Sequence, residues 1–398
     1  MDGGIVSGNQ WTEERLARAA LGTLLRYGAM SVLELAARLG PQAAWQLLHG
    51  GDAEIEAQIG QPPPGTNGQS FRAWAAAVDP EQIACQTDKC GLRFIMPGDA
   101  EWPEKLIDLA HCDIDRQGGV PVGLWVAGPG HLTQWCEKAV AVVGSRASTR
   151  YGESVALQWA SELAAADEGW TIVSGGAFGI DAASHRGALV AGGRTVGLFA
   201  NGLDVSYPPG NAALIEGIKQ NGLVVSELPP GSNPTRQGFL ARNRLIAALS
   251  AGTIVVEAAA RSGARNTASW AAALGRVLMA VPGPVTSALS ETPHRLIRDS
   301  LATLVSNSAD VCALLAPLGF GPQLPIGGPD RRGDELSGDL AVVREALPGR
   351  GGFSINEVAL ASGVPVQRCI EALGRLADLG YASANEVGRW RARHPDTD

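Results

Sequence analysis

Short apolar runs alternate with helical patterns between residues 139 and 281, and this alternation constrains the fold more than any other feature of the chain. The runs are continuous, which is typical of strands that are buried on both faces. They predict strands at residues 139–143, 171–173, 195–199, 224–226, 253–256 and 277–281. The patterns between them predict helices at residues 151–167, 181–191, 211–220, 239–250 and 267–275. Strands and helices in this order predict an α/β fold with a doubly wound, mostly parallel sheet.

The segment that precedes this core divides into two parts by composition. Residues 1–80 are predicted to form a small helical domain, because apolar residues recur there at helical spacing. The helices are expected at residues 11–26, 31–39 and 41–48. Residues 81–138 contain several prolines and show no clear period, so we predict an irregular connecting extension.

The C-terminal part of the chain separates from the core at a linker. The core is predicted to span residues 139–317, and the linker at 318–338 is rich in Gly, Pro and charged residues. Residues 339–398 then show three short helical patterns followed by a hairpin pattern. This order is typical of a winged-helix-like domain, although small helical bundles share most of it.

Composition excludes some classes of protein and leaves others open. No apolar stretch approaches the roughly 18 residues of a membrane helix, and the N-terminus lacks a signal-peptide pattern, so we expect a cytoplasmic protein without a membrane partner. The six cysteines show no CxxC pair, which favours free thiols over a metal site. The net charge of −8 is concentrated in residues 1–138. Because exposed charges are screened over a short distance, a local basic patch in the core still allows nucleic-acid binding.

Glycine-rich turns follow the first two predicted strands. Glycine lets the backbone approach a ligand closely, and the free N–H groups of the next helix attract an anion, so phosphate or carboxylate is the expected guest. Packing of the helix on the sheet explains a single such turn equally well. Neither turn has the GxGxxG pattern and the chain has no P-loop, so no nucleotide cofactor is predicted. The candidate contacts in these turns are Gly144, Ser145, Arg146, Ser174, Gly175, Gly176 and Phe178.

Two further clusters combine basic residues with polar or aromatic neighbours. An exposed aromatic ring beside arginines suits single-stranded nucleic acid, because bases stack on the ring and phosphates contact guanidinium groups. Alternatively, Phe239 fills a helix core and the arginines lie in solvent. Arg242 and Arg244 are two residues apart on a helix and cannot share one face, so one of them is expected to brace the fold. The candidate contacts are Arg236, Phe239, Arg242, Asn243, Arg244, Ser262 and Arg265.

Catalytic and metal-binding constellations are not evident in the sequence. Asp181 is expected to cap a helix, and His185 follows it without an evident nucleophile. Glu257, at the end of a strand, is expected to form a salt bridge with a nearby arginine rather than to act as an acid. We therefore predict a binding protein that is not an enzyme and that uses no metal or cofactor.

Eight segments of the core occur in the order found in one protein family. They are VAVVGSR (140–146), SGGAFGIDAASH (174–185), GLDVSYPPGN (202–211), SELPPG (226–231), RNRLIAALS (242–250), VVEA (255–258), SGARNTA (262–268) and VPG (281–283). In these segments the chain resembles the bacterial DNA-processing protein A (DprA/Smf) family. The usual FPxRNR is altered here, because Leu240 stands where the family has proline, and Ser290 begins a segment that departs from the family's SxGxN.

The resemblance implies a fold and a function. The implied fold is a Rossmann-like core with an N-terminal SAM-like or helix-hairpin-helix-like module and a C-terminal winged helix. The implied function is binding of single-stranded DNA, protection of incoming DNA during natural transformation, and loading of the RecA recombinase. The family also implies a homodimer. By position, Ser145 and Arg146 correspond to phosphate contacts, and Arg236 with Phe239 corresponds to the pair that grips backbone and base.

Two other functions stay open at this point. A nucleoside-phosphate hydrolase of the lysine-decarboxylase-like (LOG) group has a related fold, but it requires a PGGxGTxxE-type turn. The corresponding strand end here continues from Glu257 to Ser262, Gly263 and Ala264, which departs from that turn. A transcription regulator that binds duplex DNA through its winged helix is the third hypothesis. Arg368 and Arg375 on the expected recognition helix are offset by acidic neighbours, so a protein-binding role for that domain is equally compatible.

Overall fold

The computed structural model describes residues 9–60, 62–165, 169–316 and 336–393. The chain divides into two compact units, Met1–Gln323 and Leu324–Asp398. Most of the predicted linker lies outside the described residues, as do the last two residues of the helix predicted at 151–167. The division into five segments stays a prediction. None of the described helices is long and apolar enough to cross a membrane.

The first unit consists of α-helices and one large sheet. Its helices are α1 (Glu13–Leu24), α2 (Ser31–Leu39), α3 (Pro41–Leu47), α4 (Asp52–Gln58), α5 (Gly68–Ala76), α6 (Pro80–Lys89), α7 (Leu132–Glu137), α8 (Arg150–Ala165), α9 (Ile180–Val190), α10 (Ala212–Asn221), α11 (Arg236–Ala248), α12 (Gly263–Ala273), α13 (Glu291–Arg298) and α14 (Ser308–Leu315). Its strands are β1 (Arg93–Ile95), β2 (Leu124–Ala127), β3 (Ala139–Val143), β4 (Thr171–Gly175), β5 (Thr195–Phe199), β6 (Leu223–Ser226), β7 (Gly252–Val255), β8 (Val277–Ala280) and β9 (Thr303–Leu304).

The nine strands form a single sheet in the order β1-β2-β6-β5-β4-β3-β7-β8-β9. The seven strands from β6 to β9 in this order are parallel, with neighbours joined by helices that cover both faces. Every residue of β3, β4 and β5 is buried, which explains why these strands are continuous apolar runs. The predicted doubly wound, Rossmann-like and mostly parallel sheet is confirmed, and all six predicted strands are present.

The segment 81–138 differs from the prediction of an irregular extension. It contributes β1 and β2, which pair antiparallel with each other, and β2 continues the sheet by pairing antiparallel with β6. All four residues of β2 are buried, including Trp125, whose indole Nε1 donates to Thr87 Oγ1 at 3.0 Å. These strands are three and four residues long, so their positions depend on pairing, of β2 with β6 and of β1 with β2, rather than on a local pattern.

The N-terminal helices pack against this antiparallel side of the sheet. Helix α1 is capped by Thr12, whose side chain accepts from the backbone N–H of Arg15. Gly22 of α1 lies against the ring of Trp125, so a side chain there would crowd the indole. Arg18 donates to the backbone oxygen of Val122 at 3.0 Å. The predicted N-terminal helical region is therefore continuous with the core of the first unit.

The second unit contains three helices and a hairpin in its described residues. They are α15 (Asp339–Ala346), α16 (Ile355–Ser362), α17 (Val366–Asp378), β10 (Ala382–Ala384) and β11 (Trp390–Ala392). Helix α16 begins with a capping box in which Ser354 and Glu357 satisfy each other's backbone N–H groups. Phe353 and Trp390 exchange backbone hydrogen bonds of 2.8 and 2.7 Å, which add a third short strand segment to the hairpin. This arrangement matches the predicted winged-helix-like domain.

Candidate nucleic-acid interface

A cleft of about 830 Å³ opens at the carboxyl edge of the parallel strands. The strand order reverses at β3, whose two neighbours are β4 and β7. Open α/β sheets usually bind ligands at such a point. The turn after β3, the first half of α11 and the start of α12 line the cleft. The ends of β3 and β4, whose glycine-rich turns predicted a ligand site in the sequence, thus lie at one edge of the sheet.

Three exposed arginines surround the cleft. Arg146 follows β3, Arg236 begins α11, and Arg261 lies just before α12. Within the described ranges, none of the three forms a salt bridge. Among the described lining residues, Asp181 is the only carboxylate, and it is buried. The accessible charge of the cleft is therefore positive, which suits a polyanion.

Phe239 lies in the wall of this cleft and is half-buried. The guanidinium of Arg146 lies over its ring, 4.8 Å from the centroid. Tyr207 packs beside the same ring in a tilted arrangement, with a centroid distance of 5.9 Å and an interplanar angle of 42°. A cation over an aromatic face is a favourable contact. The structure thus places an aromatic ring and a basic group together, although the partner of Phe239 is Arg146 rather than Arg236.

Arg242 lies beneath the cleft, next to Asp181. Both are buried, and the guanidinium of Arg242 donates to the backbone oxygen of Leu198. Burial lowers the pKa of Arg242 to about 10, while the nearby carboxylate of Asp181 acts in the opposite direction. Burial likewise raises the pKa of Asp181, and Arg242 opposes that shift. Arg242 thus places a positive charge at the floor of the cleft, and the nearby carboxylate of Asp181 largely compensates that charge.

Side-chain caps fix the two helices that begin at the cleft. Thr235 accepts from the backbone N–H of Gly238 at 2.9 Å at the start of α11, and Ser262 accepts from Ala264 N–H at 3.3 Å at the start of α12. Asn243 of α11 donates to Asn266 of α12 at 3.2 Å. Asn243 and Ser262 therefore line the cleft, but the side chain of Asn243 already joins α11 to α12 and that of Ser262 caps α12.

Two predicted contacts, Ser174 and Arg244, are buried within the fold instead of lining the cleft, and the structure corrects them. The hydroxyl of Ser174 is fully buried and donates to the backbone oxygen of Val142 at 2.6 Å. Arg244 is 0% exposed and forms two hydrogen bonds to Glu227, of 2.7 and 2.5 Å. Arg244 also donates to the backbone oxygen of Gly119 at 3.1 Å. Ser174 and Arg244 therefore brace the fold, and of the two arginines only Arg242 borders the cleft.

The glycines of the two turns are required by close packing. A Cβ on Gly144 would lie 2.9 Å from the backbone oxygen of Glu257. A Cβ on Gly175 would lie 2.6 Å from both Arg242 Nη1 and Asp181 Oδ2. A Cβ on Gly176 would likewise crowd the ring of Phe199. Gly144 borders the cleft, whereas Gly175 stands behind it, beside the buried side chains of Arg242 and Asp181.

Two further predicted contacts, Phe178 and Arg265, lie beside the cleft, whereas Ser145 lines it. Phe178 is 47% exposed and, with Gly176, Tyr207 and Phe239, borders a smaller recess of about 90 Å³ that adjoins the cleft. Arg265 is exposed on the first turn of α12 but lines a different cavity, between α12 and α13. Phe178 thus extends the aromatic surface, and Arg265 points to the other side of α12.

The side chains considered for catalysis are buried and form hydrogen bonds within the fold. Glu257 is buried, and its carboxylate accepts from Thr149 N–H at 2.8 Å and from the Thr149 hydroxyl at 2.6 Å, so it holds the loop before α8 rather than an arginine. His185 is fully buried, with Nε2 2.8 Å from Gly175 O and Nδ1 2.7 Å from Thr195 Oγ1. Burial lowers the pKa of His185 to about 4. Within the described ranges, no group of three His, Cys, Asp or Glu side chains could hold a metal ion.

The sequence prediction missed two exposed residues of the cleft. Tyr207 is 38% exposed beside Phe239, and the only signal for it was an aromatic residue before two prolines in a loop. Arg261 directly precedes the recognised segment SGARNTA (262–268), in which the prediction assigned the contacts to Ser262 and Arg265. Only the start of α12 at Gly263 places Arg261 before the helix and facing the cleft.

Comparison with known proteins identifies the family. The family model described as DNA recombination-mediator protein A matches residues 93–316, which is more than half of the chain and includes the whole cleft. The chain belongs to this DprA family. A protein of Mycobacterium tuberculosis that provisionally carries the name DNA processing protein DprA is 44% identical over 308 residues, covering 76% of this chain and 77% of the relative.

Two other DprA-type proteins extend this comparison. Protein Smf of Escherichia coli is 35% identical over 311 residues, covering 75% of this chain and 77% of the relative. The X-ray structure of DNA processing protein A from Streptococcus pneumoniae superposes with a TM-score of 0.59 and 30% identity. It covers 76% of this chain and 98% of the pneumococcal chain. The described cleft thus lies in a chain with a DprA fold, and the family is that of DNA-processing recombination mediators.

Proposed function

We propose that the cleft binds single-stranded DNA. The observation that carries this proposal is the cluster of three exposed arginines around the cleft that holds the half-exposed ring of Phe239; none of the three forms a salt bridge with another described residue. Phosphates pair with guanidinium groups, and a base stacks on an aromatic ring only when its face is free of other bases. Duplex DNA offers no such face at its interior. Membership in the DprA family supports the same assignment.

Arg146 provides the direct test of the phosphate contacts. Replacing Arg146 with alanine removes one cation from the rim, so the log-affinity versus log-salt slope for a single strand should decrease in magnitude by about 0.7. Affinity is measured by fluorescence anisotropy with oligothymidine at several salt concentrations, next to duplex DNA and a mononucleotide. Wild type is expected to prefer the single strand.

Arg186 supplies a matched control for this test. It is an exposed arginine on α9 that does not line the cleft. Arg186→Ala should leave both affinity and slope unchanged. Equal losses in the two variants would mean that the effect is one of net charge, and unchanged binding in Arg146→Ala would remove Arg146 from the interface.

We further propose a cytoplasmic role in which the protein protects incoming DNA during natural transformation and loads RecA onto it as a homodimer. The family supports this role, because a recombination mediator must hold a single strand before a recombinase does. The test is RecA filament assembly on single strands coated with single-strand-binding protein. Addition of the protein should accelerate assembly, and Arg146→Ala should reduce the acceleration. Equal assembly rates with and without the protein would contradict the role.

Glu257, the candidate acid of the hydrolase alternative, is not placed to act on a ligand. A LOG-type reaction requires a glutamate that faces the ligand, whereas the carboxylate of Glu257 is buried against Thr149. We therefore expect no release of free base from AMP. Base release at an ordinary enzymatic rate that is lost in Glu257→Ala would overturn the assignment as a binding protein.

A further inference from the structure

A second cavity lies on the other side of α11 from the DNA cleft. Its volume is about 250 Å³, and it lies where the N-terminal helical region meets the end of the sheet. Its walls are largely apolar and include Met30, Phe199 and Leu228. Pockets for drug-sized ligands span roughly 300–1,000 Å³. This cavity therefore suits a smaller molecule, of one or two rings.

The lining of this cavity contains polar atoms that lack partners. Nε of Arg242, Oε1 of Gln117 and Oγ of Ser31 are buried and have no hydrogen-bond partner among the described residues. Arg242 is 7% and Gln117 9% exposed. Buried polar groups are nearly always paired, so orphaned atoms around a cavity indicate an absent partner. The arginine is a donor and the glutamine oxygen an acceptor, so the partner must offer both functions.

The first turns of α11 separate the cavity from the cleft. Arg236 and Phe239 face the cleft, Gln237 and Ala241 face the cavity, and Arg242 borders both. Gln237 also packs against Gly28 of the N-terminal region. A ligand in the cavity would therefore contact the same helical turns and the same arginine that form the DNA cleft.

We propose that this cavity binds a nucleobase. The choice of ligand class rests on the proposed function, because the adjoining cleft would gather nucleotides. A base has two apolar faces, and its edge carries both hydrogen-bond donors and acceptors, which matches the walls and the orphaned atoms. A purely apolar molecule would leave those atoms unpaired. Arg116 is exposed at the lining and can meet the phosphate outside the cavity. The base comes either from a free mononucleotide or from the bound strand.

Three variants distinguish the cavity from the cleft. Ala241→Met fills the cavity without replacing a residue that lines the cleft. Gln117→Leu keeps the volume of the side chain and removes the acceptor. Arg236→Ala alters the cleft alone. Thermal denaturation of each full-length variant checks folding, and Gln117→Leu carries the test if Ala241→Met proves unstable.

Calorimetric titration with dAMP and dTMP, with deoxyribose 5-phosphate as the base-free control, tests the free nucleotide. Saturable binding is expected for the nucleotides and not for the sugar phosphate. Gln117→Leu should weaken it about fivefold, the value of one neutral hydrogen bond. Ala241→Met should abolish it, and Arg236→Ala should leave it unchanged. This pattern supports a free mononucleotide as the ligand.

Titration with oligothymidine tests the strand as the source of the base. If the base belongs to the strand, mononucleotides fail to bind, while Ala241→Met and Gln117→Leu each weaken oligothymidine binding. Affinities equal to wild type for both ligands in both cavity variants overturn the inference, even where the cleft binds DNA. Mononucleotide binding with the expected variant pattern, without any oligothymidine binding, instead overturns the proposed function and supports the cavity.

Discussion

Removal of the Phe239 ring separates base stacking from plain electrostatic attraction. If a base stacks on this ring, Phe239→Ala should cost about 1–3 kcal/mol of binding free energy, which is roughly a fivefold to 150-fold loss of affinity. A fully buried phenylalanine would instead cost about 3–5 kcal/mol of folding stability on truncation. The ring is half-buried and its contacts are with Arg146 and Tyr207, both exposed. We therefore expect a nearly unchanged melting temperature.

Two further substitutions sharpen this experiment. Phe239→Tyr keeps the ring and adds a hydroxyl that an exposed position accepts, so both affinity and melting temperature should be retained. Phe239→Leu keeps apolar volume without a stacking surface and should bind like the alanine variant. Affinity is measured by fluorescence anisotropy with oligothymidine, and stability by scanning calorimetry. A stability loss of several kcal/mol in Phe239→Ala would place the ring in the core and refute the stacking role, as would wild-type affinity in that variant.

Arg146 lies over the ring, so the two side chains should be coupled. A cation over an aromatic face contributes about 0.5–1 kcal/mol at an exposed site. A bound base and Arg146 compete for that face, so wild type must break this contact to bind, and each single variant is spared that cost. The double variant of Arg146→Ala and Phe239→Ala should therefore lose more affinity than the two single losses added together. Strict additivity would mean that base and guanidinium use different faces of the ring.

Three other predictions concern the fold and assembly. Because burial lowers the pKa of His185 from 6.5 to about 4, its contribution to stability is present above pH 6.5 and is lost as the pH falls towards 4, by about 3 kcal/mol. His185→Gln should remove that part of the pH dependence in urea denaturation, and parallel curves for the two proteins would refute it. Arg244→Met leaves the Glu227 carboxylate buried and unpaired, so it should cost about 3–5 kcal/mol, with partial recovery on adding Glu227→Gln. A cost below about 1 kcal/mol in chemical denaturation would contradict this. Sedimentation should detect a homodimer at micromolar concentration, and monomer alone would count against it.

The sequence predicted the parallel part of the sheet well because its evidence is local. Strands such as β3 and β5 are buried on both faces, so the apolar run itself marks the strand. Strands β1 and β2 were missed because they are short. Strand β2 is positioned by pairing with β6, about a hundred residues further along the chain, and β1 is positioned by pairing with β2. Helices α4 and α5, of seven and nine residues, were not predicted from the sequence.

The limits of the site prediction have a similar cause. Spacing established that Arg242 and Arg244 face different directions, but not which of them faces the core. The orientation of Arg244 depends on Glu227, which follows β6 and forms a salt bridge with Arg244 away from the cleft. Ser174 was assigned to the ligand because it ends a strand, yet the neighbouring strand β3 supplies its acceptor through Val142. Contacts between segments distant in sequence therefore decided the roles that residue type alone left open.

The outermost strands bear on how copies of the protein can meet. At one end of the sheet lies β1, three residues long, and at the other lies β9, with two. A long, flat border of free N–H and C=O groups invites another chain to add a strand, whereas a very short one gives it little to pair with. Edge-to-edge growth into a continuous sheet across two molecules is thus disfavoured at both ends. Any association between two copies would therefore rely on side chains on helical surfaces rather than on backbone hydrogen bonds between strands. Those side chains would determine the geometry and the reversibility of the association.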